Sequence, residues 1–246
     1  MKGSFEIDST FIAGNYFIKA STKWMMNFTE DDSYVQAFEV IDAQWAENST
    51  PRSLDYEVHL LPEGGHLVDG VPAVVGVKAI DENGFGAKFD GIVRDQRGNQ
   101  ITALTTSDLG MGKFNLTPLA NNSYTLTARF QNGREIDYLL PNADREGISL
   151  MLTNTAGHSK VLFSISTNEL SSAKLKNKPF YALIHSDGTA QRLDFDFQES
   201  NSKVFSLDRS SLAKGINVLT VFTEEGKPLL ERLFYNQDES LSLIHI

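Results

Sequence analysis

Tyr124-Thr125-Leu126-Thr127-Ala128-Arg129-Phe130 alternates apolar and polar residues with a period of two. A pleated strand sends successive side chains to opposite faces, so this stretch packs on one side and meets water on the other. The same pattern returns in Tyr16–Ala20, Tyr56–Leu60, Val74–Ile80, Ile148–Leu152, Val161–Ile165, Phe180–Ile184, Leu193–Phe197 and Val218–Phe222. β-Branched and aromatic residues, which fit a half-buried pleat, are frequent in them. Between them stand Asp81-Glu82-Asn83-Gly84, Asp95-Gln96-Arg97-Gly98, Gln131-Asn132-Gly133, Ser186-Asp187-Gly188 and Glu224-Glu225-Gly226. In such turns a glycine supplies the positive φ that a tight reversal needs. Strands and turns at intervals of roughly 10 to 15 residues predict an all-β sandwich architecture. Helical periodicity is nearly absent, and Arg209–Lys214 has room for one short turn at most.

Working outward from Tyr124, the stretch belongs to an internal repeat. Phe114-Asn115-Leu116 leads through Ala120 to Tyr124-Thr125-Leu126. Phe5-Glu6-Ile7 leads through Ala13 to Tyr16-Phe17-Ile18, and Phe205-Ser206-Leu207 leads through Ala213 to Ile216–Leu219. The intervals between the three phenylalanines are 109 and 91 positions, close to the ~100 residues of one sandwich. Polar linkers fall at Glu47–Ser53 and Pro141–Gly147. The resulting expectation is the C-terminal part of a sandwich at 1–46, a complete one at 47–145, and another at 146–246 with the trailing start of a next segment. The 1–46 piece would leave a sheet edge and an apolar face unpaired, and is expected to pair with another domain or another chain.

The composition narrows the function classes. The 246 residues carry 22 Lys+Arg against 32 Asp+Glu, a formal charge of −10. That opposes nucleic-acid binding, which is driven by cations displacing counterions from phosphates. No apolar run approaches the ~18 residues of a membrane-spanning helix. Cysteine is absent, which removes disulfides, thiolate metal sites, cysteine nucleophiles and thioesters together. The opening Met1–Ile7 has no apolar h-region of a signal peptide.

Candidate chemistry is sparse. No His pair has the HExxH spacing, and no Gly-x-Ser-x-Gly elbow occurs. His59 and His66 lie seven positions apart beside Glu57 and Glu63, a conceivable metal set that reads better as histidines flanking a corner. Glu30-Asp31-Asp32 lacks the spacing of a calcium loop. The expectation is therefore no catalytic residue, no cofactor and no metal. Trp24, Phe28, Tyr34 and Trp45 form the candidate interaction surface; they would stack on a sugar or a partner, or else fill a core.

Leu61-Pro62-Glu63-Gly64-Gly65-His66-Leu67-Val68-Asp69-Gly70 resembles the "FPEGG-LV-G" segment of macroglobulin-like domains in bacterial relatives of α2-macroglobulin, with Leu61 where that pattern has Phe. Leu109-Gly110-Met111-Gly112-Lys113-Phe114 resembles the family's "GMG-F" strand. Ala13–Phe28 resembles the end of a preceding macroglobulin domain, and Gly226–Phe234 the closing strands of a following one. The resemblance implies tandem immunoglobulin-like or macroglobulin-like β-sandwich domains. It also implies an exported protein of Gram-negative bacteria, periplasmic or on the outer-membrane surface. The family's thioester needs a cysteine and cannot reside here. The expected function is a non-enzymatic structural or partner-binding module of such a protein, engaging a protein or polysaccharide. The alternatives are a carbohydrate-binding module or part of a protease-inhibitor-like macroglobulin. Independently of kinship, Pro62 ends a strand, Gly64-Gly65 allows a tight backbone, and Gly70 with Pro72 turns the chain again. The segment reads as a structural corner.

Overall fold

The computed structural model describes residues 10–23, 34–41, 55–155, 157–186 and 188–237. The chain divides into two units between Asp55 and Tyr56. In the first, β1 (Gly14–Ala20) pairs antiparallel with β2 (Tyr34–Val40). The Tyr16 ring stacks on Phe38 at 5.6 Å between centroids. Its hydroxyl accepts from the Ile12 N–H at 3.1 Å and donates to the Ile12 carbonyl at 2.9 Å.

The second unit holds two β-sandwiches in tandem. The first has a three-stranded sheet of β3 (Tyr56–Pro62), β5 (Ala73–Asp81) and β8 (Met111–Leu116). It faces a four-stranded sheet in the order β10 (Glu135–Leu139), β9 (Tyr124–Phe130), β6 (Phe89–Asp95) and β7 (Gln100–Thr105). Two short strands, β4 (Leu67–Val68) and β11 (Ala143–Asp144), pair parallel to each other. Along β5 and β9 every second residue is buried, and Val75, Val77, Phe89, Phe114, Leu126 and Phe130 meet between the sheets.

The second sandwich repeats this wiring. One sheet is β12 (Ile148–Thr153), β13 (Lys160–Thr167) and β16 (Ser202–Asp208). The other runs β15 (Thr189–Phe195), β14 (Phe180–Ser186), β17 (Gly215–Thr223) and β18 (Pro228–Asn236). Its core contains Leu150, Phe163, Ile165, Phe180, Leu219 and Val221. The strand order is the same in both: the first two strands and the fifth make one sheet, and the third, fourth, sixth and seventh the other.

The sequence repeat falls on one topological step. In each sandwich it is the crossing from the fifth strand to the sixth, β8 to β9 and β16 to β17. A side-chain hydrogen bond back to the crossing is present at its end in both sandwiches. The Tyr124 hydroxyl accepts from the Leu119 N–H at 3.1 Å, an arrangement known as a tyrosine corner at this crossover. At the start of β17 the Asn217 amide donates back to the Ala213 carbonyl at 2.8 Å. Tyr16 makes the same kind of backward bond beside β1. Phe5–Ile7, the opening of the first copy, lies outside the described residues.

Two sequence readings need correction. A helix, α1 (Glu169–Leu175), follows β13 where none was expected. Its start is legible in retrospect: the Asn168 side chain accepts from the Ser171 N–H, Glu169 sits in the first turn and Lys174 in the last. Seven residues are too few for periodicity to show. The strand read at Leu193–Phe197 begins earlier and ends at Phe195; Phe197 leaves the ladder yet stays 1% exposed, edge-on to Phe180 and Phe195. β6 escaped notice because Gly91 interrupts its apolar row. A Cβ there would lie 2.7 Å from Leu126 and 2.9 Å from Leu104, so only glycine lets those leucines close over the strand.

Candidate interaction site at the junction of the sandwiches

The corner that follows β3 is built from its backbone outward. Pro62 is the last residue of β3. The Gly65 N–H bonds the Pro62 carbonyl at 2.9 Å, and the Glu63 N–H bonds that of Val74 at 2.9 Å. Gly64 and Gly65 have φ of 79° and 97°, values that other residues adopt only with strain. Gly64 meets a second demand. A Cβ there would sit 3.2 Å from Leu230 and 3.3 Å from the Leu150 Cβ, both in the second sandwich. The corner thus lies against the neighbour, touching β12 and β18.

Glu63 makes the polar part of that contact. Its side chain is only 8% exposed. One carboxylate oxygen accepts the Leu152 N–H of β12 at 3.0 Å. The other is 3.2 Å from the Arg232 guanidinium on β18. A buried carboxylate persists only when both paired and hydrogen-bonded, and here both partners come from the next sandwich.

The linker is held separately. The Asp69 N–H bonds the Asp144 carbonyl at 2.8 Å, extending the β4–β11 pair. The Asn168 amide donates to the carbonyls of Asp69, at 3.1 Å, and Arg145, at 2.8 Å. Gly147 donates its N–H to the Ser171 hydroxyl and accepts from that of Thr167. One side chain, Asn168, therefore caps α1 and pins the linker to the first sandwich.

Beside this contact lies a groove of about 680 Å³ between α1, the β17–β18 turn and the corner. Ile148, Leu175, Phe180 and Leu229 are among its lining residues, and His66 reaches it from the first sandwich. Lys174 is tied to Glu146 at 2.6 Å. The Thr223 hydroxyl, with smaller help from the Glu225 backbone N–H and the Lys178 charge, holds the Glu225 carboxyl below its ordinary value.

The sequence candidates are placed as follows. Tyr34 lies on β2, 61% exposed, its hydroxyl donating to Gln36 at 2.8 Å. Trp24, Phe28, Trp45 and Glu30–Asp32 lie outside the described residues. The four residues considered as a metal set are not joined in one site. His59 pairs with Glu57 at 3.0 Å on the exposed side of β3, while Glu63 is committed to Arg232 and Leu152. Among the described residues no three His, Asp or Glu side chains are grouped to hold a metal ion, and no helix is long and apolar enough to cross a membrane. The sequence reading recognised the corner but not the reach of Glu63, because Arg232 and Leu152 are far away in the chain.

No family model and no curated protein matches the chain. Among solved structures it is similar to the native conformation of Escherichia coli α2-macroglobulin, at 14% identity and a TM-score of 0.28, over 96% of this chain and 19% of that one. It is also similar to a mutant of Salmonella α2-macroglobulin, at 12% identity and a TM-score of 0.29, over 94% and 19%. A two-domain fibronectin type III segment of chicken tenascin matches at 9% identity and a TM-score of 0.25, over 71% and 98%. The chain spans about a fifth of the length of the two macroglobulins.

Proposed function

We propose that the chain is a non-enzymatic structural module of a larger exported bacterial protein, periplasmic or at the outer-membrane surface, that sets the spacing and direction of what it joins. The observation that supports this reading is the junction. A flexible connector needs only a linker, whereas here a buried carboxylate and a helix cap bridge the two sandwiches and a parallel strand pair fastens the linker to the first. The modules are read as 47–145 and 146–246, with 1–46 as the C-terminal part of a preceding sandwich; the Tyr16 bond to Ile12 supports that reading by matching Tyr124 and Asn217. The chain contains no cysteine, so two introduced cysteines would carry spin labels without competition. Labels at Ala103→Cys and Ala190→Cys, both on exposed edge-strand positions, are expected to give one narrow distance distribution. A broad one overturns the spacing role. A hydrolytic activity that co-purifies and is abolished by one Ser or carboxylate substitution overturns the non-enzymatic reading.

A second reading, glycan binding, is favoured by the β1–β2 pair, where Phe17 is 65% and Tyr34 61% exposed. Titration of a glycan panel is then expected to release heat that Trp24→Ala and Tyr34→Ala remove. No heat at millimolar glycan counts against it.

A further inference from the structure

We propose that Glu63 is an orientation latch: a single carboxylate that fixes the angle between the sandwiches and closes the exposed edge of the second. The inference rests on the spacing role proposed above and names the residue that supplies it.

The argument starts from degrees of freedom. The linker contacts, Asp69 with Asp144 and Asn168 with Asp69 and Arg145, gather where the chain passes from one sandwich to the next. A body held at one such place keeps its rotation about it, which is why relative domain motion is the default expectation. Glu63 provides a second attachment away from the linker. It grips β12 through the Leu152 N–H and β18 through Arg232, and these strands belong to opposite sheets of the second sandwich. Two strands held from one point cannot slide independently of it, and rotation about the linker would break both bonds.

The edge supplies an independent argument. Among the described strands β12 pairs only with β13, so its other side is an open sheet edge. Such an edge invites another strand unless it is covered. The Glu63 carboxylate occupies the Leu152 N–H, and Gly64 packs on Leu150 and Leu230. Pro62 and the paired glycines bring the backbone near enough for the short Glu63 side chain to reach. The carboxylate, 8% exposed, would be poorly solvated if it left its partners without leaving the interface, so the bound arrangement is specific as well as closed.

The test uses the full chain with the Ala103→Cys and Ala190→Cys labels. Glu63→Ala is expected to broaden the distance distribution roughly twofold or more, as a junction left with its linker bonds and the apolar packing of Gly64 would. Glu63→Gln, which keeps an oxygen for the Leu152 N–H, and Arg232→Gln, which keeps the Glu63–Leu152 bond, are expected to broaden it less. Amide-exchange protection of β9 and β14 shows whether each sandwich remains folded in every variant. If Glu63→Ala does not fold, Arg232→Gln decides the matter by its own width. A narrow, unchanged distribution in the folded variants overturns the latch and leaves the spacing role standing. A broad distribution in the unsubstituted chain overturns the spacing role, and the latch with it.

Discussion

The connection between the first two strands of each sandwich occupies the same topological position and is used in opposite ways. In the first sandwich it is the Glu63–Pro72 corner, which turns outward: Glu63 holds the next sandwich and β4 pairs with the linker strand β11. In the second it runs from Asn154 to Ser159 and turns inward. The Asn154 amide donates to the Tyr235 carbonyl at 2.8 Å. Arg209 lies across it, donating to the Asn154 side chain at 2.6 Å, to the Thr155 carbonyl at 2.8 Å and to the His158 carbonyl at 2.5 Å. The fold leaves this loop free to serve either purpose. An acidic side chain raised on two glycines reaches a neighbour, while an arginine laid over the loop seals it onto its own sandwich.

Removing the inward seal gives the largest effect. Arg209→Ala deletes several bonds from a charged donor and is expected to destabilise the second sandwich by about 2–3 kcal/mol, read from urea unfolding followed by amide signals of β13 and β17. The label distance across the junction should keep its width in that variant. If it broadens as much as in Glu63→Ala, the two loops do not have the separate roles drawn here.

The crossover residues sharpen the comparison at smaller amplitude. Asn217 is 2% exposed and donates to the carbonyls of Ala213 and Gly215. Asn217→Ala takes one donor from each carbonyl, that of Ala213 keeping the Asn236 amide at 3.2 Å, and is expected to cost about 1–2 kcal/mol, and Tyr124→Phe, which frees only the Leu119 N–H, about 1 kcal/mol. Equal stabilities of Asn217→Ala and the parent would show that the asparagine does not replace the tyrosine in the second sandwich.

The contrast also explains what was legible in the chain. Strands with every second residue buried, such as β5 and β9, announce themselves because one face is wet. The corner was legible through Pro62, Gly64 and Gly65, whose backbone demands are local. β12 shows where that reasoning stops. Ile148-Ser149-Leu150 has the pattern of a strand with Ser149 on a wet face, and the corresponding strand β3 does expose Glu57, His59 and Leu61 on alternate positions. In β12 all three residues are buried, where β4, β5 and Gly64 of the first sandwich come against the strand. Periodicity within a segment carries no information about a neighbour that the fold later brings over it. For the same reason Glu63 read only as an acid beside the two histidines of a corner.

That covered serine gives a smaller prediction of opposite sign. The Ser149 hydroxyl is buried without a hydrogen-bonding partner, although the residue is 2% exposed. An unmatched buried polar group is a net cost. Ser149→Ala is expected to raise stability by about 0.5–1 kcal/mol, read from urea unfolding followed by β13 amides. A loss instead of a gain would show that this hydroxyl supports the junction.

The weakest distinction between the sandwiches lies in the turn after their third strand, and it depends on pH. In the first, the Asn99 side-chain amide holds the Asp95 carboxyl below its ordinary value, with further help from the N–H groups of Asn99 and Arg97. In the second, Ser186 stands at the head of the turn and accepts through its carbonyl from Thr189. A carboxyl whose value is lower folded than unfolded stabilises the fold above the unfolded value, and that contribution fades as pH falls through the folded one. The first sandwich should therefore lose this small contribution on acidification, from the ordinary Asp value downward. Asn99→Ala is expected to move the Asp95 titration midpoint, followed by the carboxyl carbon resonance, upward toward that ordinary value. An unmoved midpoint would mean that the backbone N–H groups alone hold the charge, and that the turn does not need its asparagine.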